Sequence, residues 1–137
     1  PGLGLYVAGR ALGIGVDVVP STLGDTWWRI PVLLLMAFAN AWAEEIIVVG
    51  FLLTRLRQLD VSATKSLVLS ALLRGAYHLY QGFGAGLGNI AMGLVFGYTW
   101  RRTGRLWPLI IGHGVIDAVA FVGYALAARH LGWLHPA

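Results

Sequence analysis

Residues 40–57, "NAWAEEIIVVGFLLTRLR", decide how the chain is read, because two adjacent glutamates, Glu44 and Glu45, sit inside an apolar run. From Ile30 to Leu53 they are the only ionisable residues. A carboxylate is expensive in an apolar core and more so in lipid, so the pair calls for a purpose.

Working outward, the whole chain is as apolar as this run. Hydrophobic residues make up 58% of the 137 residues and charged ones only 12%. Soluble domains average about 45–50% apolar and about 25% charged. The mean hydropathy is +0.72. These values predict one membrane-embedded domain spanning residues 1–137. The opening "PGLGLYVAGR" has no initiator Met and no signal-peptide pattern, which suggests a piece of a longer chain, with residues 1–20 as a partial N-terminal spanning segment. There is no cysteine, so neither disulfides nor thiol chemistry enter. The net charge of +4 would suit a nucleic-acid partner in a soluble protein, but the basic residues lie between apolar runs and signal topology instead, with the bilayer as partner.

Four apolar segments follow, at about 30–53, 66–80, 87–100 and 107–128. Lipid tolerates helices or closed barrels, and these runs lack strict alternation, so the expected fold is an all-α polytopic transmembrane bundle of about four helices. The first and last segments are long enough to span; the middle two must borrow from their flanks. The run "QGFGAGLG" is expected to be the turn between the second and third. Basic residues cluster in loop 54–65 (Arg55, Arg57, Lys65) and loop 101–106 (Arg101, Arg102, Arg105). An up-down chain puts both loops on one side, which predicts a multi-pass protein of the cell membrane with those loops cytoplasmic. Trp27, Trp28, Trp100, Trp107 and Trp133 fall near segment ends, as interfacial aromatics do. Asn89, Gly93 and Gly97 repeat at four-residue spacing, which predicts close helix packing with Asn89 as an interhelical hydrogen bond or as a polar support of a site. His130 and His135 are expected to be interfacial and nonfunctional.

Few ionisable residues interrupt the other helices: Arg74 and His78 in the second, His113 and Asp117 in the fourth. Counted from the basic loops at about 1.5 Å per residue, Glu44 lies roughly 16 Å deep, His78 roughly 20 Å and His113 roughly 12 Å. Three helices therefore bring their costly groups to one slab. Each pair is four residues apart and shares a helix face. Arg74 could neutralise one of the glutamates, and Asp117 could orient His113. A buried structural network or a small transporter would use the same residue types. A hydrolytic site would use them with defined roles: a Glu as base on water, a His sharing its proton, a second His facing an oxyanion.

The runs "EEIIVVGFLLTRL", "SALLRGAYHLYQG" and "IGHGVID" resemble, in that order, the motifs of the CPBP family of intramembrane proteases, which includes the Rce1-type CAAX prenyl endopeptidases and bacteriocin-processing proteins. The family motifs are EExxxR, FxxxH and HxxxN/D on separate helices, and the resemblance covers roughly residues 30–125. It implies an intramembrane endopeptidase acting on a lipidated or membrane-associated peptide. It further implies Glu44 as the base with His78 beside it, His113 and Asp117 at the oxyanion, and Glu45 paired with a cation. Two positions depart: Val49 stands where the first motif has Arg, and Arg74 where the second has Phe. A guanidinium relocated from the first helix to the second would explain both. Glu44, His78 and His113 could also hold zinc, a His₂Glu set, although the HExxH arrangement is absent. The metal-free glutamate route, with no cofactor, is the favoured expectation.

Overall fold

A computed structural model describes residues 26–127. Every regular element among them is helical. The first helix runs unbroken from Arg29 to Gln58 but changes character along its length. It comprises α1 (Arg29–Glu44), a π-helical segment (Glu45–Phe51) and α2 (Leu52–Gln58). Then come α3 (Ala63–Tyr77), a short 3₁₀ turn (Leu79–Gln81), α4 (Phe83–Thr103) and α5 (Trp107–Ala127). Pro31 and Pro108 each lie in the first turn of a helix, where a missing N–H costs nothing. Gly104, with φ +66°, ends α4 in the left-handed conformation and returns its N–H to Trp100 O at 2.7 Å.

The described residues are all-helical as expected, and of the four helices expected to span, Arg29–Gln58, thirty residues, is the one among the described residues long and apolar enough to cross a membrane. The proposed partial segment at residues 1–20, and Trp133, His130 and His135, lie outside the described residues.

One expectation fails in an informative way. The glycine-rich run is not a turn over its length: Leu79–Gly82 turns, with Gly82 at φ +104°, and Gly84, Gly86 and Gly88 belong to α4. Glycine is needed here for close approach. A Cβ on Gly75 would meet Gly86 O at 2.8 Å and Ile90 Cγ1 at 2.3 Å, so α3 and α4 pack almost backbone to backbone. Farther along, Gly93 faces Ala71 and Gly97 faces Leu67 in the same seam. Asn89, by contrast, does not bridge helices; its Nδ2 donates to Ala85 O one turn back at 3.0 Å.

The bundle is built from two principal pairings, α3 on α4 and α1 on α5. Phe38 of α1 seats over Gly114 of α5, a position where any Cβ would clash with its ring. An apolar cluster of Val49, Leu53 and Leu109, flanked by Phe96, Trp100 and Leu106, joins the two pairings. Both basic connections lie at one end of the bundle, because Arg101 Nη1 donates to Ala63 O at 2.9 Å.

Candidate active site

The glutamate pair sits where the first helix widens. Glu44 is the last residue of α1 and Glu45 the first of the seven-residue π segment. Such wide turns are rare and recur at functional sites. This one is tied to its neighbour: Ser70 Oγ of α3, itself buried, donates to Val48 O at 2.8 Å. Gly50 keeps the segment close to the α4–α5 connection, since a Cβ there would meet Leu106 Cδ1 at 2.8 Å. Glu45 is fully buried, whereas the Glu44 side chain keeps 24% of its surface exposed. Adjacent in sequence, the two carboxylates occupy different environments.

Arg74 of α3 joins them. Its guanidinium is fully buried, and Nη2 donates to Glu45 Oε1 and to Glu44 Oε2, the latter at 3.4 Å. Phe96 of α4 stacks on it, with its ring centroid 5.9 Å from the guanidinium carbon. Val49, where the motif would place an arginine, is instead buried in the apolar cluster. The cation thus reaches the glutamates from α3.

Both histidines meet a glutamate. His78 follows α3, and its Nδ1 lies 3.0 Å from Arg74 O. A carbonyl can only accept, so Nδ1 carries the proton, and the neutral ring presents its Nε2 lone pair. That nitrogen is 3.8 Å from Glu44 Oε1. His113 of α5 is buried, with Nδ1 2.8 Å from Glu45 Oε1 and Nε2 3.5 Å from Asp117 Oδ2. Its ring stands edge-on to Phe96 at 6.4 Å. Glu45 therefore faces both a cation and a histidine.

The arrangement has two tiers. Arg74, Glu45 and His113 form a buried inner tier, while Glu44, His78 and Asp117 form a partly exposed rim. The inner tier also holds polar atoms with no hydrogen-bond partner among the described residues, namely Glu45 Oε2 and Arg74 Nε and Nη1. Tyr77 was missed from the sequence. Its hydroxyl donates to Glu44 Oε2 at 2.8 Å, and its three-residue spacing from Arg74 was the available signal. Asn89 makes no contact with this cluster; its side chain is engaged with Ala85. No three His, Asp or Glu side chains among the described residues converge as a metal-ligand set, so Glu44, His78 and His113 would have to move to share one ion.

Comparison with family models matches residues 26–119 to the type II CAAX prenyl endopeptidase Rce1-like family, a span that includes every residue of both tiers, and the chain belongs to that family. No match is found to a curated protein or to a solved structure.

Proposed function

From membership of the Rce1-like family, we propose that the chain is a multi-pass intramembrane endopeptidase that hydrolyses a peptide bond of a lipidated or membrane-associated substrate. The observation that carries this is the rim: a partly exposed Glu44 carboxylate facing His78 Nε2 at 3.8 Å, with the histidine tautomer fixed by Arg74 O.

The spacing of Glu44 and His78 suits a water held between them. Glu44 takes a proton from that water as its oxygen bonds to the scissile carbonyl carbon, and the carbonyl π electrons move onto oxygen. When the tetrahedral intermediate collapses, the C–N bond breaks and the proton passes, through Glu44 or His78, to the leaving amine. Tyr77 orients Glu44 by occupying Oε2, which leaves Oε1 for the water. The oxyanion is met from the inner tier by His113 Nε2–H, where that nitrogen adjoins Asp117 of the rim. Because Nδ1 is engaged with Glu45, a donating Nε2 requires the doubly protonated ring, and Glu45 and Asp117 balance its charge. Arg74 and Glu45 act through these groups as positioning residues.

This scheme uses no metal ion. Peptide hydrolysis that survives exhaustive chelation supports it, and loss restored by zinc removes it. In the membrane the helices stand up and down, with the two basic connections at the cytoplasmic face; their meeting at one end of the bundle supports this. Incubation of the purified protein with lipidated peptides should give a cleaved product that the Glu44→Gln variant does not. Loss of folding in Glu44→Gln without any wild-type cleavage would favour a buried structural network instead.

A further inference from the structure

At the end of the bundle that carries the basic connections, a half-open cavity of about 200 Å³ is lined by Leu53, Arg57, Ala63, Ser66, Trp100 and Arg101. Its chemistry is lopsided: the lining has two exposed arginines and no acidic side chain, together with a half-buried indole and a buried leucine. Arg101 is fixed in place, because Nη1 donates to Ala63 O at 2.9 Å. Arg57 is free: its guanidinium has no hydrogen-bond or ion-pair partner among the described residues. Arg55, two residues earlier, is by contrast bonded to Gln58 Oε1 at 2.8 Å and lies over Phe51. The first turn of the fifteen-residue α3 begins at Ala63, so its unpaired N–H groups add to the positive potential.

We propose that this cavity binds the phosphate headgroup of an anionic phospholipid. Planar guanidinium forks match phosphate oxygens, and here one is prepositioned while the other has nothing else to hold. Leu53 and Trp100 offer the glycerol and first acyl carbons an apolar wall, an indole position typical of the membrane interface. A free phosphate could use the arginines but would gain nothing from the wall, so the lipid is the favoured occupant. No residue of either tier of the glutamate cluster lines this cavity, which makes it a second site. The inference rests on the membrane setting of the preceding section and not on its peptidase chemistry.

The test is thermal unfolding of the detergent-purified chain titrated with a short-chain phosphatidylglycerol, a phosphatidylcholine of equal chain length, or inorganic phosphate. Phosphatidylglycerol should raise the melting temperature saturably and the other two should not. Arg57→Gln should weaken the apparent affinity on the order of fivefold, and Arg57→Gln/Arg101→Gln further. Arg102→Gln/Arg105→Gln, which alters the same charge outside the cavity, should leave it within twofold. Because Arg57 has no partner to lose, its single variant should fold and cleave peptide as wild type does, so failure of this site is distinguishable from failure of the peptidase. Equal stabilisation by phosphatidylcholine would overturn the proposal, as would equal stabilisation by inorganic phosphate. Unchanged affinity in Arg57→Gln, or equal loss in the Arg102/Arg105 variant, would overturn it too.

Discussion

Glu44 and Glu45 differ by one position in the chain and by an entire environment. Glu45 is buried against Arg74 and His113, so removing one member leaves charge uncompensated in an apolar interior, which costs about 3–5 kcal/mol. Arg74→Phe should accordingly lower the melting temperature sharply and abolish cleavage. Adding Val49→Arg should restore part of both, since position 49 is four residues beyond Glu45 on the same helix. A fully active Arg74→Phe single variant would refute the relocated cation. Tyr77→Phe should be milder: loss of one hydrogen bond to a carboxylate is worth about 1.5–3 kcal/mol in general and less on a partly exposed rim, so turnover should drop by about tenfold with the fold retained. The residues of the cluster were legible in the sequence because burial of charge in an apolar run is costly and the four helices can be ruled for depth. Their pairing was not fully legible. Asp117 was expected as the orienting partner of His113, yet Glu45 lies nearer to its ring, since the interhelical geometry that selects between two carboxylates leaves no trace in spacing.

At the scale of elements, the decisive features are a widened helix and a glycine seam. The π segment holds Glu45 inside and follows Glu44 at the rim, and no residue pattern in "EEIIVVGF" announces it; its contacts with Ser70 and Leu106 come from elsewhere in the chain. Ser70→Ala should loosen the segment and lower turnover more than it lowers stability, read as a fall in kcat with a small shift in melting temperature. The seam misled in a different manner. Glycine marks turns when judged alone, but Gly75, Gly86, Gly93 and Gly97 serve close approach between α3 and α4, and within the run "QGFGAGLG" only Gly82 needs a positive φ. A Cβ on Gly93 would stand 2.9 Å from Ala71 Cα, backbone that cannot yield, so Gly93→Ala should cost about 1–3 kcal/mol. Circular dichroism melts in detergent would register it, and an unchanged melt would show that the helices part more readily than their packing indicates.

For the molecule as a whole, composition alone pointed to a helical membrane protein, and charge placement pointed to which connections share a side. The contact of Arg101 with Ala63 brings those connections together at one end. With no cysteine in the chain, single-cysteine variants make clean topology probes. Asp60→Cys and Thr103→Cys should label from one face of sealed vesicles and Gln81→Cys from the other; labelling of all three from one face would contradict the up-down arrangement. Everything in the proposed chemistry converges on Glu44 as the group that activates water while Glu45 and Arg74 hold the site together. The direct measurement is single-turnover cleavage of a lipidated peptide by wild type and Glu44→Gln, with thermal unfolding followed on the same samples. Glu44→Gln should lose about 10²- to 10⁴-fold in rate while melting within a few degrees of wild type. A Glu44→Gln protein that cleaves at the wild-type rate would contradict the assignment.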